Sequence, residues 1–253
     1  MNSFTVNDVE IPFDYNWSSI AISLSGGADS ALLAYLLCDH IQKNDIEPFT
    51  VHIISHTRMW KTKPWQEHDS LTVFRWLLNE FTNITFHRHT NFIAPELEWG
   101  DKGPTIVDEY GKLVSGDNVE LRAFGEYVCH HNKVNAYYNA VTRNPKNVTF
   151  KGMPTRDIDP TDDNQHLKVM EHMGVLACHP FRFVDKSWVV DTYNKINKQD
   201  LFYMTRSCEG DSTTRPEVFF DLDYKTYKPG QPVPICGRCF WCKERAWAIE
   251  QSK

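Results

Sequence analysis

The chain has 253 residues, 41% of them hydrophobic and 24% charged, with 12 glycines and 13 prolines. That profile excludes disorder, collagen-like repeats and low-complexity scaffolds, and at roughly 150 residues per domain it fits one large domain or a core with a small appendage. The 33 acidic and 27 basic side chains leave a net charge of −6, a global field that repels nucleic-acid phosphates while leaving room for a local basic groove.

Residues 1–16 carry Asp8, Glu10 and Asp14 but no basic residue, so the charged start of a secretory signal is missing. The longest clearly apolar stretch, residues 31–38, is far shorter than the roughly 20 residues of a membrane-spanning helix. The expectation is a soluble, cytoplasmic chain with no membrane partner. Ser19-Ile20-Ala21-Ile22-Ser23-Leu24 reads as a buried strand. The glycine turn Ser25-Gly26-Gly27-Ala28-Asp29-Ser30 follows it. Leu32, Leu33, Leu36 and Leu37 then recur at helical spacing up to about His40. Residues 49–54 predict a second strand, residues 66–79 a helix with Leu71, Phe74, Leu77 and Leu78 on one face, and residues 84–87 a third strand. This alternation predicts a doubly wound, mainly parallel α/β sheet covered by helices.

Residues 91–118 lose all periodicity, as lids and substrate walls often do. A helix over 119–131 and a strand over 135–141 follow, then an irregular stretch over 143–164 rich in Asp and Pro, and a helix over 184–196. The division expected is a nucleotide-binding α/β domain over 1–200 and a cysteine-rich segment over 201–253 packed on it.

Two adjacent glycines between a strand and a helix let the backbone approach a ligand, and the free N–H groups of the first helical turn make an anion site. Ser25 and Ser30 can add hydroxyl donors. Asp29 would repel a phosphate unless a bridging Mg²⁺ removed the conflict. A plain tight turn with Asp29 stabilising the helix start is the alternative. No lysine follows the glycines, so the pattern is neither a P-loop nor a dinucleotide fingerprint.

Seven cysteines are present, and Cys236, Cys239 and Cys242 recur at C-x-x-C-x-x-C spacing. Thiols crowded in this way point to metal ligation rather than to a disulfide framework. Tetrahedral Zn²⁺ needs a fourth ligand, for which Cys208 is the nearest candidate and Cys178 or His179 the alternative. The spacing also permits redox chemistry or an iron–sulfur cluster. Cys38 and Cys129 read as core residues of helices.

The turn resembles, residue for residue, the S-G-G-x-D-S signature of the PP-loop ATP pyrophosphatases. That resemblance implies a fold like the adenine nucleotide alpha hydrolases. It also implies cleavage of ATP between the α- and β-phosphates, with Ser25, Asp29 and Ser30 as catalytic residues. The nucleotide would be held by Leu24, Ser25, Gly26, Gly27, Ala28, Asp29, Ser30, Ala31, Leu32 and Leu33. Together with Ser207-Cys208 and the tail Cys236-Gly-Arg-Cys239-Phe-Trp-Cys242-Lys-Glu-Arg245, the turn is similar to the 7-cyano-7-deazaguanine synthases. The resemblance implies ATP, Mg²⁺ and Zn²⁺ as cofactors. A 7-carboxy-7-deazaguanine carboxylate would be adenylated and ammonia would displace AMP, giving an amide and then a nitrile. Asn118 and Arg122 would line the substrate wall, and a homodimer is the suggested assembly. Departures are the long segment 209–235 before Cys236, Asp117 where arginine is expected, and Ala140-Val141-Thr142-Arg143 in place of a glycine and an acid. A tRNA-modifying thiolase or a lysidine-type ligase is the competing enzyme, against which the scattered basic residues argue, and a nucleotide-binding module without catalysis is the competing non-enzyme.

Overall fold

The computed structural model describes residues 2–58, 65–93, 105–107, 113–153, 156, 167–170, 175–208 and 235–252. A six-stranded sheet runs in the order β5-β4-β3-β8-β10-β9. Its strands are β3 (Ser19–Ser23), β4 (Thr50–Arg58), β5 (Thr85–Ile93), β8 (Ala136–Tyr138), β9 (Leu167–Met170) and β10 (Val175–Cys178). Neighbouring pairs are parallel from β5 through β10, and β9 closes the edge antiparallel to β10. From β3 the chain builds outward through β4 to β5, then returns to the other side of β3 with β8 and β10. The sheet is therefore doubly wound, with its switch point between β3 and β8, where open α/β sheets bind ligands beyond the strand C-termini.

Alternation along β3 shows both faces covered. Ile20 and Ile22 join the large core formed with α1 (Ala28–Lys43), α2 (Gln66–Glu80), α4 (Lys186–Lys195) and the short α5 (Gln199–Met204). Ala21 turns the other way, packing with Ile54 and with Val128 and Cys129 of α3 (Gly116–His131). The last helix, α6 (Phe240–Gln251), lies against α4. Cys38 and Cys129 are fully buried, as apolar-face helix cysteines should be. None of the helices among the described residues is long and apolar enough to cross a membrane.

Several elements differ from the sequence-based expectation. A hairpin of β1 (Ser3–Val6) and β2 (Val9–Pro12) opens the chain, its turn made by Asn7 and Asp8 at positive φ. Asn7 docks it on α4, accepting at its carbonyl from Trp188 Nε1 at 2.8 Å and donating to Thr192 Oγ1 at 2.9 Å. The stretch 91–118 contains the end of β5 and a second hairpin, β6 (Thr105–Val107) with β7 (Leu113–Ser115). On α2 the buried stripe is Ser70, Val73 and Leu77, while Leu78 is 41% exposed. Phe74 packs partly buried on the core, and the first turn of the helix seats against the glycine turn, as described below.

On the α3 side of the sheet His52 is only 4% exposed, with Nδ1 3.0 Å from His89 Nε2 and its ring stacked on His87 at 5.3 Å. Burial, reinforced by His89 and His87, lowers its pKa from 6.5 to about 4. The folded pKa lies below the unfolded one, so this contribution to stability is complete above 6.5 and is lost as pH falls towards about 4. The loss amounts to up to about 3 kcal/mol. Urea midpoints at the two ends of that window should separate further in the wild type than in His52→Gln. Equal separations would remove His52 from the acid response.

Candidate active site and metal centre

The switch point opens into a cavity of about 220 Å³. Ser25, Gly27, Asp29 and Ser30 line it from the glycine turn, residues 139–142 from the end of β8, Trp65, Gln66 and Asp69 from α2, and Arg206, Ser207 and Cys208 from the segment after α5. The sequence-predicted turn residues are thus brought together with residues far along the chain.

Within the turn, Ser25 and Ser30 hold the loop closed. Ser25 N–H donates to Ser30 Oγ at 3.2 Å, the two hydroxyls lie 3.1 Å apart, and Gly27 N–H donates to Ser25 Oγ at 3.2 Å. Gly27 is the N-cap of α1 and offers no side chain to cap it, so the leading N–H groups keep their donor capacity for a ligand. Leu24 anchors the approach, its N–H donating to Ile54 O at 2.8 Å. Ala28, Ala31, Leu32 and Leu33 are fully buried, so below the first turn of α1 the predicted nucleotide residues form core.

Gly26 has φ +82°, and a Cβ there would sit 2.5 Å from the Asp69 carbonyl carbon and 2.6 Å from Ser70 N. Close seating of α2 on the turn therefore requires glycine. Gly26→Ala is expected to cost about 2–5 kcal/mol from left-handed strain and overpacking combined. At Gly27, with φ −78°, the nearest contact of an added Cβ is Ser25 Oγ at 3.3 Å, so Gly27→Ala should cost less. Chemical denaturation of the two variants checks the order, and equal losses would contradict it.

Asp29 pairs with Lys186, Nζ to Oδ2 at 2.5 Å. Lys186 is 2% exposed and stands in the first turn of α4, where a cation opposes the helix dipole and needs a carboxylate. Asp29 Oδ1 is buried without a hydrogen-bond partner among the described residues. Asp29 lines the cavity, and a carboxylate there fits Mg²⁺, which commonly takes one or two carboxylates plus substrate phosphates. Behind Lys186 lies Glu244 of α6, 0% exposed and held in a bidentate pair with Arg156 at 2.9 and 3.2 Å. Burial raises the Glu244 pKa, against the lowering by Lys186 and Arg156. Arg156 also lies over the Trp241 ring at 5.0 Å, and both line the cavity. The lining thus carries Arg156, Lys186 and Arg206 against Asp29 and Asp69, a local cationic excess in a chain of net charge −6.

Cys208, Cys236, Cys239 and Cys242 come together with all four Sγ atoms within 4.8 Å of one another. A tetrahedron of thiolates around one Zn²⁺ has an edge of about 3.8 Å. Cys236 Sγ and Cys242 Sγ stand 3.8 Å apart. An iron–sulfur cubane, with one iron per thiolate, would spread them further. Backbone N–H groups of Cys236 and Cys239 donate to Cys208 Sγ and Cys236 Sγ, as ligating thiolates favour. Hydrogen bonding with Cys208 and then Cys239, with burial, raises the Cys242 thiol far above the ordinary range. The donor set fits a single soft or borderline ion. Cys178 lies elsewhere, buried in β10, and among the described residues the alternative ligand set is not assembled.

Arg122 sits on α3 paired with Glu126 at 2.8 Å and does not line the cavity. Asn118 falls in the first turn of α3, and its side chain lies outside the described residues, as do residues 209–234. Residues missed in the sequence are Lys186, Arg156, Glu244, Trp65, Asp69, Arg206 and Ser207. Lys186 left one signal, a lysine immediately after the helix N-cap Asp185.

Neither a family model nor a curated protein matches the sequence. Among solved structures the chain is similar to U34-tRNA thiolase NcsA from Methanococcus maripaludis with its 4Fe-4S cluster, at 14% identity and a TM-score of 0.43. That match covers 72% of this chain and 57% of that one, so the chain spans little more than half the thiolase's length. It is also similar to phosphoadenylyl-sulfate (PAPS) reductase from Candida auris in a phosphate complex, at 13% identity and a TM-score of 0.36, covering 76% of this chain and 80% of that one.

Proposed function

We infer that the protein is a PP-loop enzyme that cleaves ATP between the α- and β-phosphates to adenylate a carboxylate, and that the acceptor is 7-carboxy-7-deazaguanine with ammonia as the nucleophile. The observation that carries the nucleotide part is the uncapped start of α1, opening at the switch point beside a carboxylate with one unpartnered oxygen. The acceptor rests on the likeness of the turn and the cysteine tail to 7-cyano-7-deazaguanine synthases.

The leading amides of α1 and the hydroxyls of Ser25 and Ser30 receive the β- and γ-phosphates, where charge grows as pyrophosphate departs. Lys186, fixed by Asp29, supplies a desolvated cation on the same side of the cavity. Asp29 Oδ1 would hold the Mg²⁺ that enters with the nucleotide, and this ion would neutralise phosphate charge. The acceptor's carboxylate oxygen attacks the α-phosphorus, the bond to pyrophosphate breaks, and the acyl adenylate forms. Ammonia then adds at the acyl carbon, expels AMP and loses a proton to give the amide. A second adenylation, on the amide oxygen, expels another pyrophosphate, and loss of AMP and of both amide N–H protons leaves the nitrile. Trp241 lines the cavity as an aromatic surface of the kind a flat heterocycle stacks on.

The test is incubation with ATP, Mg²⁺, an ammonium salt and 7-carboxy-7-deazaguanine, with products followed by mass spectrometry. Amide followed by nitrile, with AMP, is the expected result. Amide alone would revise the product. AMP with unmodified tRNA and none with the deazapurine would replace the acceptor by a nucleotide base.

A further inference from the structure

Arg206 and Ser207 line the cavity but belong neither to the glycine turn nor to the cysteine set. Their segment lies against the turn. Arg206 N–H donates to Gly26 O at 2.8 Å, and a Cβ on Gly27 would stand 3.5 Å from Ser207 Oγ and 3.7 Å from Arg206 O. The Arg206 guanidinium approaches Asp69 Oδ2 at 3.9 Å and is largely buried, so it is held at the cavity rather than ranging in solvent.

Both ends of the segment are fixed from the cysteine-rich tail. Upstream, Arg245 of α6 donates to Thr205 Oγ1 at 2.8 Å and to Phe202 O at 2.7 Å, its guanidinium 4.0 Å from the Phe202 ring centre. Downstream, Cys208 is one of the four clustered thiols, and its carbonyl accepts from Trp65 Nε1 at 2.9 Å. Trp65 is the N-cap residue of α2, the helix that brings Asp69 against Gly26. The segment that carries Arg206 and Ser207 against Gly26 and Gly27 is therefore flanked by the Arg245 contacts of α6 and by Cys208.

We propose that Arg206 and Ser207 form a second wall of the phosphate site, opposite the α1 amides, and that the metal held by Cys208, Cys236, Cys239 and Cys242 fixes this wall, so that nucleotide affinity depends on metal occupancy. The proposal rests on the nucleotide reading above. An arginine held by a carboxylate presents a preformed guanidinium to phosphate oxygens, and a serine hydroxyl adds a donor beside it. With the metal gone, Cys208 loses its tether and the wall is held only from its upstream end and through Trp65.

The test is calorimetric titration of α,β-methylene-ATP with Mg²⁺ into the full chain. Four proteins are compared: zinc-loaded wild type, zinc-loaded Ser207→Ala, zinc-loaded Arg206→Gln, and wild type stripped by a chelator. Circular dichroism and metal content are measured on each. Ser207→Ala should keep its zinc and fold while binding about tenfold more weakly, and Arg206→Gln should lose at least as much. The stripped protein should bind weakly and recover on return of zinc. Wild-type affinity in Ser207→Ala overturns the wall even if Arg206→Gln fails to fold. Wild-type affinity in folded, stripped protein overturns the link to the metal. Absence of binding to zinc-loaded wild type would instead sink the nucleotide reading itself.

Discussion

Asn in place of Asp29 is expected to lower ATP-dependent pyrophosphate release by about 10²- to 10³-fold, the scale set by removing a group that stabilises charge at the reacting phosphates. The substitution acts twice. It removes the charge of Oδ1, proposed above to hold a nucleotide-bound cation, and it leaves Lys186 buried without its counter-charge. Because Lys186 is 2% exposed and Asp29 largely enclosed, the orphaned ammonium should cost about 2–3 kcal/mol. In a chain of this length that is a fall in thermal midpoint of about 5–10 °C. The two effects separate in the double variant Asp29→Asn, Lys186→Met, which removes both partners and should regain most of the stability while staying inactive. Recovery of pyrophosphate release in the double variant would show that the pair is structural only.

The second large effect belongs to the cysteines. Cys239→Ser is expected to abolish stoichiometric metal binding and lower the thermal midpoint by about 10 °C or more, since metal affinity at such a site is folding free energy. Cys239 is also the N-cap of α6, the helix that carries Glu244 and Arg245. Losing the metal should therefore loosen the Arg156–Glu244 pair and the clamp on Thr205 together. Metal analysis of the wild type should give about one zinc per chain and a colourless protein. A brown protein with stoichiometric iron, or a Cys239→Ser variant that keeps metal and stability, would contradict the assignment.

The order of strands and helices from β3 to β5 was legible in the sequence because each element is long, periodic and separated by polar punctuation. So was the glycine turn, whose residues are contiguous. The cysteine set was legible through its spacing, and Cys208 through proximity to it. What stayed hidden depends on the tertiary arrangement. Lys186 becomes meaningful only when α4 is placed over α1, and Glu244 only when α6 brings it beneath Lys186 and Arg156. Strands β9 and β10 are four residues each, too short for alternation to declare itself. The close seating of the first turn of α2 on Gly26 depends on the absence of a side chain there, which no apolar pattern declares. Arg122, placed on the substrate wall by the resemblance, pairs with Glu126 one turn on along α3.

The most direct test of the central claim, that the glycine turn holds pyrophosphate as ATP is cut at its α-phosphate, is ³¹P NMR of ATP and Mg²⁺ incubated with the protein and a carboxylate acceptor. AMP and pyrophosphate are expected to rise together in equal amounts, dependent on acceptor and absent with Asp29→Asn. ADP and orthophosphate in their place, or AMP formed equally by Asp29→Asn, would contradict it.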